Sequence, residues 1–527
     1  MLIPRRAMNA NLPSVEKRGP VLWPFLLALV PAAVGLYSGP LFYDDAFITF
    51  RYAENLALGR GMVYNAEPVA GATAPLYCLI LSLLRLLGVP MIAAAFGIGV
   101  AAASACPLLL WRIGDAVGQV RAGLVAAILC ALFPRWWLIG VSGMESSLAA
   151  ALALAALLLF LKERFGAAAV VCGMLTLTRP DAATLPALMF AVLVFRDRRA
   201  AVKFALAGLL ALLPWLIYSW LAFGSFTPQS LAAKKLIHAY PFHLALFRYL
   251  SWFVSPGDPP AMTGLTLVWL AGAVFMLKRG WRHGAVLALW PPLFLIGLAA
   301  TRVGPFPWYK YPALPVFFFV AAYGLISMFE LARERKGPGL KAMSATAIAL
   351  AGLFVALGLF QAAPLLASRE KLEGLRVKER LLSEISGVIR TRSLEAGLSP
   401  AEVKVFAGEV GVIGFELMDF EIIDSAGINS PEVYEIRRRD WERLRAERPA
   451  SGWREKWSGL PGWSREVIEK YQPEFITSDL DYLHLKTLLR DPWFNTAYQS
   501  IQQWTYLDPD TGPRQLILLQ RKRGADE

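Results

Sequence analysis

Long apolar stretches separated by short polar ones occupy the first two thirds of the chain. A helix needs about 20 apolar residues to cross a bilayer, and several of these stretches are shorter than that. We predict about 11 membrane spans, with segment 74–88 lying as a helix in the membrane interface. The predicted spans are 21–39, 91–111, 122–139, 144–161, 166–178, 182–195, 203–222, 264–278, 284–300, 312–331 and 342–361.

The basic residues predict the orientation. If segment 74–88 does not cross the membrane, every one of five clusters of Lys and Arg falls on the side of the N-terminus. These clusters lie at 112–121, 162–164, 196–203, 278–282 and 333–341. Lys and Arg concentrate in cytoplasmic loops, so we expect residues 1–20 to be a cytoplasmic tail. Segments 166–178 and 182–195 are either a hairpin or one proline-broken helix. Basic residues at their outer ends, Arg164 and Arg196, favour the hairpin.

The composition changes near residue 362. A charged, helical pattern at 369–392 is followed by strand candidates at 403–407, 420–424, 474–477 and 515–520. Alternating short strands and helices of this length predict a small α/β domain with its own core. We therefore divide the chain into a polytopic α-helical membrane domain (21–363) and an α/β domain (364–527) on the external side.

The amino-acid composition argues against several classes of protein. The chain has 527 residues, is 56% hydrophobic and carries a net charge of +13. This is too apolar for an ordinary soluble enzyme. Basic cytoplasmic loops account for the charge without a nucleic-acid partner. All four cysteines lie in apolar segments, where thiols are buried as small hydrophobic groups, so neither a disulfide framework nor a zinc site is expected.

The loop at 40–77 holds the strongest chemical signal. Asp44 and Asp45 directly follow the first apolar run. On a helix of about 100° per residue, Asp44 shares a polar stripe with Arg51. Acidic residues cap helix N-termini, which would explain one of the two carboxylates. A second adjacent carboxylate leaves a catalytic interpretation open.

The sequence YDDAFITFRYAENLALGRGMVYN, followed by GATAP at 71–75, resembles the first external loop of bacterial GT-C membrane glycosyltransferases. It is most similar to the terminal arabinofuranosyltransferase group of mycobacterial cell-wall synthesis. The resemblance extends to the turn at 179–181, the loop at 226–234 and the C-terminal domain. It implies a polyprenyl-phosphate sugar donor, a catalytic aspartate in this loop and a site on the outer face of a bacterial cytoplasmic membrane.

Sugar transfer needs a base for the acceptor hydroxyl and cations for the departing phosphate. The resemblance places the base at Asp44 or Asp45, and we prefer Asp44 because it shares a stripe with Arg51. Basic residues at membrane ends also snorkel to lipid headgroups, which is the alternative for each cation. The candidate substrate contacts on the external loops are Arg51, Tyr52, Glu145, Arg179, Asp181, Lys234, Arg302, Tyr309 and Lys310.

The resulting hypothesis is an inverting transfer of one sugar, arabinofuranose being a candidate, to an envelope glycan, glycolipid or exported protein. Paired aspartates suit Mg²⁺ or Mn²⁺, but one base suffices without metal, so we expect no essential cofactor. The alternatives are a lipid-linked sugar flippase or transporter, which would carry ionisable groups in mid-span, and a ligase of pyrophosphate-linked oligosaccharides.

The segment GEVGVIG at 408–414 does not match the spacing of a dinucleotide-binding loop. Its glycines are most simply interpreted as turn residues. Tryptophans at 441, 453, 457 and 463 lie further along the same domain. We hypothesise that they stack on the sugar rings of the acceptor.

Overall fold

The computed structural model describes residues 22–238, 240–251, 260–278, 284–335, 366–447, 462–480, 485–508 and 512–522, with isolated positions at 483 and between 345 and 363. Up to residue 335 these form helices. In chain order they are α1 (Trp23–Ser38), α2 (Asp44–Ala57), α3 (Pro75–Leu86), α4 (Met91–Ala116), α5 (Val120–Leu132), α6 (Pro134–Gly140), α7 (Ser146–Leu161), α8 (Phe165–Thr178), α9 (Thr184–Arg196), α10 (Arg198–Phe223), α11 (Gln229–His238), α12 (Phe242–Ser251), α13 (Pro260–Lys278), α14 (Gly284–Ala300) and α15 (Leu314–Arg335).

Helices occupy the predicted apolar segments from 21–39 to 312–331. Within the described residues, three helices, in α4, α10 and α15, are long and apolar enough to cross a membrane. A fourth span results if α5 and α6, which meet at a 69° bend, are counted together. The expected count of about 11 spans is therefore not confirmed, because most of the other apolar helices are shorter. Most of segment 342–361 lies outside the described residues.

Two local features explain parts of the helix arrangement. Gly272 of α13 faces Gly324 of α15, and a Cβ on either would overlap the backbone of the other. Small residues of this kind let membrane helices approach closely. Between α8 and α9, Arg179 precedes a proline and adopts an extended conformation (φ −148°). A residue before proline is disfavoured in the helical region, so α8 ends there.

The C-terminal domain contains the helices α16 (Arg369–Gly374), α17 (Val377–Glu395), α18 (Val412–Glu416), α19 (Pro431–Glu447), α20 (Gly462–Tyr471), α21 (Leu485–Leu488) and α22 (Pro492–Ala497). Its strands are β1 (Lys404–Ala407), β2 (Glu421–Asp424), β3 (Phe475–Asp479), β4 (Tyr498–Asp508) and β5 (Gly512–Arg521). They form one sheet in the order β2-β1-β3-β5-β4. The predicted strands are confirmed, and β4 is an addition.

Strand β1 pairs in parallel with β2 and β3, whereas β5 runs antiparallel to β3 and β4. Parallel neighbours need crossover connections. Here α18 connects β1 to β2, and α19 and α20 lie between β2 and β3. Trp463 is buried in this core beside Phe406, so it is not available as a surface platform for sugars. Trp453 and Trp457 lie outside the described residues.

Candidate active site

A cavity of about 370 Å³ lies at the ends of several helices. Our predicted orientation places these helix ends on the external side of the membrane. The cavity wall combines segments that are far apart in the sequence. They are the first turns of α2, residues 71–73, the start of α7, the turn between α8 and α9, the helix α11, the end of α14, and the short 3₁₀ turn Pro307–Lys310. The C-terminal domain contributes Ile428.

Asp45 faces this cavity from the first turn of α2 and pairs with Lys234 of α11. Lys234 Nζ lies 3.4 Å from Asp45 Oδ2, and the two side chains are 17% and 28% exposed. Burial alone would lower the pKa of Lys234, but the neighbouring Tyr309 and Asp45 raise it above its usual range. The cavity therefore holds a permanent cation beside a partly accessible carboxylate.

Arg179 forms the second charged group, together with Glu145 and Asp181. Its Nη1 donates to Glu145 Oε1 at 2.8 Å, and its Nε and Nη2 donate to the two Asp181 oxygens at 3.0 and 2.5 Å. The guanidinium also lies 5.0 Å from the centre of the Tyr309 ring. The fork on Asp181 is bidentate, which fixes the guanidinium plane at the cavity wall.

Burial changes the pKa of two side chains at this cavity, Glu145 and Tyr309. Burial raises the pKa of Glu145, against the opposing effect of Arg179. Burial also raises the pKa of Tyr309, although Lys234 and Arg179 oppose it. Tyr309 therefore stays a neutral hydroxyl at neutral pH. The cavity can accept a proton at a carboxylate and stabilise an anion with Lys234 and Arg179.

Asp44, which we preferred as the base, does not lie on the cavity. The two oxygens of its carboxyl group accept hydrogen bonds from the backbone N–H groups of Gly411 (3.1 Å) and Val412 (2.8 Å) in the C-terminal domain. The residue is only 4% exposed. Helical spacing separates the directions of adjacent side chains by about 100°, so Asp45 faces the cavity while Asp44 faces the domain. The geometry thus favours Asp45 as the candidate that faces the cavity, and the identity of the base stays a prediction.

Arg51 and Tyr52, expected to bind substrate, are instead occupied by protein contacts. Arg51 is 1% exposed and donates to the carbonyls of Tyr64, Gly414, Leu417 and Phe420. The Tyr52 hydroxyl donates to the Val69 carbonyl at 3.0 Å. Neither residue lines the cavity. The polar stripe of α2 is therefore a domain contact.

Arg302 and Lys310 are near the cavity without lining it. Arg302 donates from Nε to the Tyr240 carbonyl at 3.0 Å, while its neighbours Thr301 and Val303 are in the wall. Lys310 directly follows Tyr309, which does line the cavity. The structure thus brings together Asp45, Glu145, Arg179, Asp181, Lys234 and Tyr309, and leaves out Asp44, Arg51, Tyr52, Arg302 and Lys310.

Sequence reasoning missed two residues of the wall that bear on chemistry. Trp308 packs its ring 5.1 Å from that of Phe306 and directly precedes Tyr309, which was itself among the predicted candidates. Ser230 lies one helical turn before Lys234 and is 2% exposed. Within the described residues its hydroxyl has no hydrogen-bond partner. The i, i+4 spacing of Ser230 and Lys234 on a helix was the available signal.

Within the described residues, no group of three or more His, Cys, Asp or Glu side chains is arranged to hold a metal ion. The expectation that no metal is essential stays a prediction.

Comparison with known proteins gives a match at the level of structure. The chain is similar to ArnT from Cupriavidus metallidurans bound to undecaprenyl phosphate, with a TM-score of 0.57 and 12% identity over 94% of this chain and 97% of that one. It is also similar to the archaeal oligosaccharyltransferase AglB from Archaeoglobus fulgidus, in complex with an inhibitory peptide and a dolichol-phosphate. That match has a TM-score of 0.52 and 13% identity over 93% of this chain and 73% of that one.

No protein-family model matches the sequence, and no curated protein matches it. The similarity to ArnT and AglB is too low in sequence identity to show more than the fold. Identities of 12% and 13% do not test the GT-C assignment that the loop motif predicts, so that assignment stays a prediction. The arabinofuranosyltransferase-like subgroup stays a prediction. The chain therefore shares its fold with ArnT and with AglB.

Proposed function

We propose that this protein is an inverting membrane glycosyltransferase that uses a polyprenyl-phosphate sugar donor. The observation that carries the proposal is the cavity in which Asp45 pairs with Lys234 beside the Arg179 group. Within a fold shared with ArnT, whose structure contains undecaprenyl phosphate, a base and two cations at one cavity are the groups that this reaction requires.

In this mechanism Asp45 removes the proton from an acceptor hydroxyl. The oxygen attacks the anomeric carbon, and the bond from that carbon to the phosphate oxygen breaks. The electron pair leaves with the lipid phosphate, whose charge Lys234 and Arg179 stabilise. A single displacement from the opposite face inverts the anomeric configuration. Glu145 and Asp181 hold Arg179 in place through the contacts described above.

The loop motif supports arabinofuranose as the first sugar to test, with an envelope glycan, glycolipid or exported protein as acceptor. We place the protein in a bacterial cytoplasmic membrane with about 11 spans, the shorter apolar helices crossing together with α4, α10 and α15. The cavity and the C-terminal domain then face the periplasm. The distribution of basic residues along the chain supports this orientation.

The proposal is tested with the purified full-length chain in nanodiscs, offered a panel of polyprenyl-phosphate sugars. Release of the lipid phosphate and movement of labelled sugar to water or to an acceptor are measured. Lys234→Met is expected to weaken donor binding and turnover, because it removes the cation at Asp45. Lys235→Met is the matched control, since Lys235 is exposed and does not line the cavity.

EDTA is expected to leave turnover unchanged, because Lys234 supplies the positive charge beside Asp45. If the protein binds a donor tightly but turns over none of the donors in the panel, the enzyme proposal is refuted and the flippase alternative is favoured. Equal activities of Lys234→Met and Lys235→Met would refute the assignment of the cavity.

A further inference from the structure

The C-terminal domain forms hydrogen bonds with Asp44, the residue next to the proposed base. Asp44 accepts hydrogen bonds from the backbone of Gly411 and Val412, and its own N–H donates to Glu379 Oε1 of α17 at 3.3 Å. Three contacts from one domain thus fix both the side chain and the backbone of the first residue of α2. Asp45 is the next residue along that backbone.

The contact continues along the same face of α2. The ring of Phe415 packs 5.7 Å from that of Phe47 and 6.0 Å from that of Phe50. Further along, the Arg51 guanidinium donates to carbonyls of residues 414–420. Because these contacts extend over two turns of the helix, the rotation of α2 about its axis is set by the domain. That rotation determines where the Asp45 side chain is directed.

The glycines at 408–414 explain why the two parts approach so closely. A Cβ at Gly411 would overlap the backbone carbonyl of Asp44 and lie 2.8 Å from the carbon of its carboxyl group. A Cβ at Gly414 would overlap the hydroxyl of Tyr64. Side chains at these positions would therefore push the domain away from α2. These glycines serve close approach, beyond the turn role that we predicted for them.

We infer that the C-terminal domain orients the proposed base. Asp44 and Gly411 are positioning residues that hold Asp45 in its productive orientation. The inference rests on the proposed function, because it takes Asp45 as the base. It gives the domain a task that does not depend on acceptor binding. The contribution of Ile428 to the cavity wall is a second, direct link between the domain and the site.

The test compares Gly411→Ala with Gly387→Ala in the full-length chain. Gly387 lies in α17, where a Cβ would meet nothing within 4 Å. A displacement of about 1 Å at a catalytic group can cost about 100-fold in rate. We therefore expect Gly411→Ala to lower kcat by about 100-fold, with KM for the donor nearly unchanged because Lys234 and Arg179 stay in place. Gly387→Ala should keep wild-type kcat.

Two further measurements separate positioning from loss of fold. Hydrogen exchange of residues 41–52 should become faster in Gly411→Ala and not in Gly387→Ala, while thermal unfolding shows that both variants are folded. Asp44→Asn keeps a carboxamide oxygen that accepts one backbone hydrogen bond, so it should retain more kcat than Asp44→Ala.

The outcomes distinguish the two proposals. If the wild type turns over no donor, the proposed function fails. If the wild type is active and Gly411→Ala matches Gly387→Ala in kcat, the proposed function stands and this inference is overturned. A Gly411→Ala variant that loses donor affinity with unchanged kcat would also overturn it, since the domain would then act on binding.

Discussion

Replacement of Arg179 by methionine is expected to destabilise the protein strongly. The side chains of Arg179, Glu145 and Asp181 are 6%, 9% and 13% exposed, so the substitution leaves two buried carboxylates without their cation. Removing one partner of a buried ion pair costs about 3–5 kcal/mol. At 1.4 kcal/mol per factor of ten, this changes the unfolding equilibrium by roughly a hundredfold to a few thousandfold.

The cost should depend on pH. Burial already raises the pKa of Glu145 with Arg179 present. Without the cation, protonation of Glu145 relieves part of the penalty at low pH. The destabilisation by Arg179→Met should therefore be larger at pH 8 than at pH 5.5. The double variant Arg179→Met with Glu145→Gln should recover part of the loss, because one buried charge is gone.

Thermal unfolding in one detergent, followed by the fluorescence of the 17 tryptophans, measures these effects. Arg85→Met is the matched control. Its ion pair with Glu54 has an N–O distance of 2.9 Å, similar to that of Arg179 with Glu145, but the Arg85 side chain is 41% exposed. Exposed pairs contribute little to stability. If Arg179→Met unfolds at the same temperature as Arg85→Met at both pH values, the buried-pair reasoning is wrong.

Two other variants test the polar contacts around the site. Burial and the nearby Glu409 raise the pKa of Asp44 to about 8, so the folded chain binds more protons than the unfolded chain between about pH 4 and pH 8. The unfolding temperature should fall as the pH rises from 6 to 9, and by less in Asp44→Asn; an equal fall in both would contradict this. Ser230→Ala should weaken binding of undecaprenyl phosphate without loss of stability, because it removes a buried hydroxyl that has no partner in the described structure. Ser327→Ala, another buried hydroxyl without a partner among the described residues, is the control and should bind as the wild type does.

The helices and most strands were predictable because hydrophobic periodicity reflects burial directly. Strand β4 was missed because its sequence, YQSIQQWTYLD, is polar and many of its residues are exposed at the edge of the sheet. Apolar length was a weaker guide to membrane crossing, since the helices α1, α7, α8, α9 and α14 have only 13 to 17 residues.

The site residues were predictable in part. The predicted candidates Glu145, Arg179, Asp181, Lys234 and Tyr309 line one cavity with Asp45, and their role as substrate contacts stays a prediction. Periodicity placed Asp44 and Arg51 on one face of a helix but could not reveal what covers that face. The partners of Asp44 lie 367 and 368 residues away in the sequence, in a domain whose docking surface has no local signal.

The central claim, that Asp45 is the base of a sugar transfer, is tested most directly by comparing Asp45→Asn with Asp44→Asn. Turnover of a polyprenyl-phosphate sugar and binding of undecaprenyl phosphate are measured on the same nanodisc samples. We predict that Asp45→Asn lowers turnover by about 10²–10⁴-fold while lipid-phosphate binding is retained. Asp44→Asn should keep measurable turnover. Full activity in Asp45→Asn, with activity abolished only in Asp44→Asn, would contradict the account.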